Sequence, residues 1–114
     1  MCSDMYLIPY NANVQKRNNS VEEYDQGKIE KVLKSLFKTT NDVTKEDTEK
    51  QCILIGNLVS LRLSKLYPDS SVIKTSVIQE ILERELMDLG YYKTLKLFII
   101  LGYAKEIFSK HSNI

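Results

Sequence analysis

Three basic side chains lie near a turn and a helix start in the first third of the sequence. Lys16 and Arg17 precede an Asn-Asn-Ser turn sequence, and Lys28 falls in the first turn of a predicted helix. Lysine and arginine donate charge-assisted hydrogen bonds to anionic groups. A cation at a helix N-terminus is unfavourable for the helix dipole, whereas an anion there would be stabilised by the dipole and the free amides. The chemistry these residues could perform is therefore the binding of a polyanion.

A solvated surface explains the same three cations. In a strictly extended strand Lys16 and Arg17 point to opposite faces, although turn twist and long side chains allow both to reach one anion. The formal net charge is +1, so an anion site must arise from local clustering and not from an overall field. Spacing alone favours scattered surface charges.

A hairpin and an amphipathic helix are predicted to position these cations. Two short extended segments within residues 13–24 flank the turn. Asp25 is the predicted N-cap of the first helix. The apolar residues of that helix follow the i, i+3, i+4 spacing of a buried face: Ile29, Val32, Leu33, Leu36 and Phe37.

A second, longer helix is predicted from an N-cap at Thr44 to Leu66. Its apolar residues occupy most of its circumference, which predicts a central helix with several neighbours. Gly56 inside this helix costs about 1 kcal/mol relative to alanine. This glycine predicts either close helix packing or local strain beside it.

The second half of the chain is predicted to add one strand and two helices. Residues 72–73 are a strand candidate that could join the hairpin. Ser76 and Gln79 have the spacing of a capping box at the start of a third helix. Gly90 fits the C′ position after that helix, and a fourth helix is predicted over residues 91–109. These elements predict an α+β fold, a small sheet capping a helical bundle.

Residues for catalysis or for a metal site are sparse. His111 is the only histidine, and Cys2 and Cys52 lie far apart in the sequence. A structural zinc site needs about four close ligands. We therefore expect no catalytic residue and no metal ligand.

The familiar glycine-rich phosphate loops are absent from the sequence. It has neither G-x-x-x-x-G-K-[ST] nor G-x-G-x-x-G, so side chains would have to bind phosphate. The acidic residues of QEILERE, residues 79–85, have helical spacing and predict a solvated helix face that includes Glu85.

Composition excludes several classes of protein. Hydrophobic residues make up 43% and charged residues 27%, as in ordinary globular domains. The longest apolar run, residues 97–101, is far shorter than the roughly 20 residues of a membrane span. Two thiols and an N-terminus without a secretory leader predict a cytoplasmic location. The balanced charge gives no reason to expect a nucleic-acid partner.

Three blocks of the sequence resemble the ATP-cone family, the adenine-nucleotide regulatory domain found chiefly at the N-terminus of ribonucleotide reductases. The blocks are V-x-K-R before a turn, the helix start D-x-x-K-I, and V-I-K-T-S-x-I-Q followed by L-G-Y-Y-K. They occur in the family's order between Val14 and Ala104. The resemblance implies a four-helix bundle capped by a small three-stranded β-sheet. It divides the chain into an N-terminal extension (1–12), an ATP-cone domain (13–106) and a C-terminal tail (107–114).

The resemblance also implies where a nucleotide would bind, between the sheet and the helices. Lys16, Arg17 and Lys28 would form a cationic wall for the phosphates, while Asp25 would lie near the ribose. Thr75 could contact phosphate or act as an N-cap, and the other positions would face base, sugar or phosphate. The full expected set is Val14, Lys16, Arg17, Glu22, Asp25, Lys28, Thr75, Gln79 and Lys96.

The function implied by the resemblance is a noncatalytic regulatory module. It would bind ATP or dATP, with or without Mg²⁺, and control ribonucleotide reductase through a reductase subunit or a homo-oligomer. One alternative is a fragment of a transcriptional regulator, since some repressors of the family join an ATP-cone to a zinc ribbon. This sequence lacks that ribbon. Another is a protein-interaction domain with a degenerate nucleotide site, because Leu101-Gly102 replaces the Tyr-Arg pair common in the family.

Overall fold

The computed structural model describes the backbone of residues 10–112 and the side chains of residues 10–102. The predicted α+β class, four helices with a three-stranded sheet, is confirmed. Residues 1–9 of the expected N-terminal extension, and the His111 side chain in the expected tail, lie outside this description. The elements are β1 (Asn13–Gln15), β2 (Val21–Glu23), α1 (Gln26–Thr40), α2 (Thr48–Leu66), β3 (Val72–Lys74), α3 (Thr75–Asp88) and α4 (Tyr92–Ser112).

The small sheet has the strand order β2-β1-β3. β1 pairs antiparallel with β2 and parallel with β3, so the strand candidate at residues 72–73 does join the hairpin. Val14 is opposite Glu22 on one side and Ile73 on the other. Val14 and Ile73 are buried, so this face of the sheet is turned towards the bundle.

The hairpin turn has the geometry of a type I turn followed by a left-handed residue. The Asn19 amide donates to the Lys16 carbonyl, and the Lys16 amide donates to the Ser20 carbonyl. Asn19 has a φ of 69°, a conformation that asparagine tolerates well. The Asn18 side chain accepts from the Ser20 amide and hydroxyl. The asparagines therefore determine the turn that follows Lys16 and Arg17.

Helix α1 agrees closely with its sequence pattern. Asp25 is extended and its Oδ1 accepts a 2.9 Å hydrogen bond from the Gly27 amide, which confirms the predicted N-cap. The apolar face is buried except for Val32, which is 41% exposed. At the other end Asn41 adopts the left-handed conformation and its amide bonds the Phe37 carbonyl.

Helix α2 differs from its prediction in its start and its surroundings. It begins at Thr48, because Thr44 instead starts the preceding turn, where its carbonyl and hydroxyl accept from the Asp47 amide. The prediction that α2 is the central helix is also wrong. α2 packs on α1 and α3, and α4 packs on the same two helices. This ring arrangement leaves one side of α2 open, and its exposed apolar residues are Ile53, Leu54, Leu61 and Leu66.

Close packing at Gly56 is confirmed. A Cβ atom at this position would lie 3.1 Å from side-chain atoms of Gln26 and Glu30 on α1. Gln26 cannot easily move away, since its amide group bonds Glu30, Asn57 and Ser60. The absent side chain thus lets α1 and α2 approach each other.

We expect Gly56→Ala to destabilise the protein by about 1 kcal/mol, because overpacking outweighs the gain in helix propensity. Urea unfolding of the variant checks this. Gly102→Ala is a matched control, since nothing in the described part lies within 4 Å of a Cβ there. That control should stabilise by up to about 1 kcal/mol. A similar stabilisation by both substitutions would contradict the role given to Gly56.

Gly90 occupies the predicted C′ position after α3 and forms a Schellman motif there. Gly90 has a φ of 83°, its amide bonds the Met87 carbonyl, and the Tyr91 amide bonds the Leu86 carbonyl. The chain then turns directly into α4. This helix extends beyond the predicted end at Ser109 to Ser112, and residues 107–114 contain no glycine or proline to stop it.

The core lies between the four helices and beneath the sheet. Tyr91 and Phe98 pack against it, whereas Ile99, Ile100 and Leu101 on α4 are exposed. Its largest fully buried side chains are Phe37, Leu33, Ile55, Leu63, Ile73, Leu86 and Val59.

The acidic face predicted on α3 is wrong at one position. Glu85 is only 4% exposed, and its carboxylate accepts a hydrogen bond from the Arg62 guanidinium on α2. Arg62 also lies 3.7 Å from Asp88. Glu85 is not solvated because it lies between α2 and α3, where Arg62 provides a charged partner.

Candidate functional site

The inner face of the sheet, the face turned towards the helices, carries the expected site residues Val14 and Glu22. The expected site residue Lys16 lies next to them. Val14 contributes a buried side chain, and Glu22 lies opposite it in the register. Lys16 follows Val14 by two residues, so strand alternation places it on the same face. A hydrophobic floor at Val14 and Ile73 therefore adjoins a charged edge at Lys16 and Glu22.

Lys16 and Lys28 come together on the carboxylate of Glu22. The Lys16 Nζ lies 3.2 Å from one oxygen, and the Lys28 Nζ lies 2.9 Å from the other. Hydrogen bonds from Lys28 and Lys16 lower the pKa of Glu22, and Glu22 raises the pKa of Lys28. Both shifts favour the charged forms of Glu22 and Lys28. Two cations from separate elements, the hairpin and α1, thus meet at one anionic group.

A polar network fixes the start of α1 against α2. The Tyr24 and Ser60 hydroxyls are 2.6 Å apart, Ser60 donates to the Gln26 side-chain oxygen, and Gln26 donates to Glu30 and Asn57. None of these residues was predicted from the sequence. The available signal was the small pair Gly56 and Ser60, one helical turn apart, which permits close helix approach.

The start of α3 lies at the end of β1. The Thr75 hydroxyl donates a 3.1 Å hydrogen bond to the Gln15 carbonyl, so it links the helix to the sheet. Lys74 is the N-cap and makes no side-chain cap hydrogen bond. The predicted capping box of Ser76 and Gln79 is wrong, because β3 runs directly into the helix and Ser76 is already inside it. The first amides of α3 thus receive no acceptor from a cap side chain.

The sheet topology separates the two helix starts. Because β2 is antiparallel to β1, α1 begins beside the first residue of β1. Because β3 is parallel to β1, α3 begins beside the last residue of β1. A ligand against the inner face could therefore be approached by a helix N-terminus at each end of the sheet.

Two expected site residues, Gln79 and Lys96, make no side-chain hydrogen bond or ion pair with this cluster within residues 10–102. Arg17 is exposed in the hairpin turn. Gln79 is half-buried in the second turn of α3, and Lys96 is exposed on α4. Neither Gln79 nor Lys96 makes a hydrogen bond or an ion pair within the described side chains.

Other chemistry is limited in the described part of the chain. No group of three or more His, Cys, Asp or Glu residues within it could hold a metal ion. Cys52 is buried, and burial raises the pKa of its thiol, which keeps it protonated and unreactive. None of the helices described has the length and hydrophobicity that a membrane crossing requires.

Comparison with known families identifies this arrangement. The model of the ATP cone domain matches residues 12–107, most of the chain. The chain belongs to the ATP-cone family. An ATP-cone is a noncatalytic regulatory module for adenine nucleotides. A search of curated proteins found no match to this ATP-cone.

Proposed function

We propose that this ATP-cone binds ATP or dATP as an effector between the sheet and the helices. The phosphates would contact Lys16, Lys28, Arg17 and the N-terminus of α3 around Thr75. Val14 and Glu22 would lie near the base or sugar, with Asp25 near the ribose. Gln79 and Lys96 would complete the site when the bound nucleotide draws them in.

The observation that supports this proposal most strongly is the meeting of Lys16 and Lys28 around one carboxylate. Charged side chains from separate elements lose conformational entropy when they are held together, and exposed pairs return little energy. A polyanion has more charged oxygens than a single carboxylate, so it forms more charge-assisted hydrogen bonds with the two lysines. The uncapped first amides of α3 add a second anion-binding element beside the same strand.

The regulatory effect would come from differential affinity. A nucleotide that binds one conformation or oligomer more tightly shifts the population towards it. We infer that the regulated partner is a ribonucleotide reductase in the cytoplasm and that Mg²⁺ accompanies the phosphates. The exposed α4 residues Ile99, Ile100 and Leu101 offer an apolar surface for a homo-oligomer or for a reductase subunit.

Calorimetric titration with ATP and dATP, combined with light scattering, tests the proposal. We expect saturable heat with ATP and with dATP, and weaker binding of GTP. Light scattering should show a change in molecular mass on binding, and no phosphate should be released. Absence of heat with both adenine nucleotides would instead favour a protein-interaction domain. Sustained ATP hydrolysis would contradict a noncatalytic module.

A further inference from the structure

Glu22 is placed to compete with any anion that binds Lys16 and Lys28. Each of its two carboxylate oxygens contacts one of the two ammonium groups, at 2.9 and 3.2 Å. A phosphate chain that binds both lysines while these contacts persist must lie close to the carboxylate, and the like charges then repel each other. Glu22 is also the strand partner of the buried residue Val14, so its side chain lies on the inner face of the sheet.

We propose that Glu22 is an internal competitor that sets the affinity of the site for phosphate chains. This inference rests on the proposed nucleotide site. When a binding-competent arrangement is only partly populated, apparent affinity falls by that fraction. Release of both lysines from Glu22 is such a prior step. The carboxylate thereby raises the ligand concentration at which the module responds, without contributing to the phosphate contacts.

The competition has a physical basis in exposure and charge. Glu22 is 35% exposed and the two lysines are 48% and 60% exposed, so the contacts are screened by water and can be exchanged. A buried bridge would block the site permanently, whereas an exposed one lowers the affinity by a modest factor. A triphosphate has several charged oxygens to replace the single carboxylate, which favours it in the exchange.

Inorganic tripolyphosphate is the appropriate probe, because it has no base or sugar that Glu22 could contact directly. We expect Glu22→Gln to tighten tripolyphosphate binding about fivefold in calorimetry at low salt. The gain should shrink at high ionic strength, since screening weakens exposed pairs. Glu23→Gln is the matched control: it removes the same charge from the next residue, which strand alternation places on the opposite face.

The outcomes separate this inference from the proposed function. If the natural chain binds neither ATP nor dATP, the nucleotide site itself is wrong and the inference fails with it. If it binds ATP, a tighter Glu22→Gln complex with an unchanged Glu23→Gln complex supports the competition. Equal effects of both substitutions, unchanged or weaker binding by Glu22→Gln, or no tripolyphosphate binding by either protein would overturn the inference alone. Thermal unfolding of both variants verifies that each is folded.

Discussion

Replacement of Lys28 by alanine is expected to weaken ATP binding by about tenfold to a hundredfold, the value of a lost hydrogen bond to a charged group. Lys28 reaches Glu22 from the first turn of α1, so its ammonium group marks where a phosphate would enter. Lys16→Ala should act in the same direction. In either variant the remaining lysine keeps its contact with Glu22, so competition persists while one attraction to phosphate is lost. Calorimetric titration in one buffer compares the affinities.

Lys38→Ala is the control for this experiment. It removes the same charge from the last turn of α1, about 15 Å along the helix from Lys28. Screening over more than a Debye length should leave ATP affinity nearly unchanged in this variant. Loss of affinity in all three variants to the same extent would indicate a general charge effect. Unchanged affinity in both Lys16→Ala and Lys28→Ala would contradict the site.

The elements of the fold were predictable because their signals are local. Asp25 caps α1 within two residues, and Gly90 enables a Schellman motif within one turn. The apolar spacing of α1 describes a single helix face, and only Val32 departs from it. Two apolar positions beside a turn predict the strand at residues 72–73. Each of these depends on neighbours close in sequence, which a single sequence contains.

Sequence patterns do not predict how distant segments meet. Apolar residues around α2 suggested neighbours on all sides, but a ring of four helices gives each helix only two. The capping box at Ser76 failed because Thr75 is already the first residue of α3 and its hydroxyl bonds β1. A helical pattern shows which residues share a face. It does not show which other element that face meets.

The candidate site shows the same division between local and distant information. Residue types and the family resemblance pointed to Lys16 and Lys28, yet spacing left open whether they converge. Their convergence depends on the hairpin and the start of α1 being held at one angle. The Tyr24 hydroxyl, just after β2, lies 2.6 Å from the Ser60 hydroxyl on α2, and Ser60 also donates to Gln26 at the start of α1. These contacts between residues distant in sequence tie the end of the hairpin and the start of α1 to the same helix.

Loss of the Arg62 guanidinium is expected to destabilise the protein substantially. Arg62→Met would leave the Glu85 carboxylate, only 4% exposed, without its charged partner. Removing one member of a buried ion pair costs about 3–5 kcal/mol. Arg62 itself is 43% exposed, so water can replace part of the lost interaction. We therefore expect a loss of about 2–3 kcal/mol, measured by urea unfolding at neutral pH.

Two further variants show whether this loss comes from the stranded carboxylate. Arg84→Met makes the same substitution at an exposed position of α3 and should change stability by less than about 0.5 kcal/mol. Combining Arg62→Met with Glu85→Leu removes both charges, and apolar packing should then recover much of the stability. If the double variant were as unstable as the sum of its two single variants, the ion pair would not be the cause. The loss would then come from another contact of the Arg62 guanidinium, such as that with Asp88, because its removal would cost the same with or without the Glu85 carboxylate.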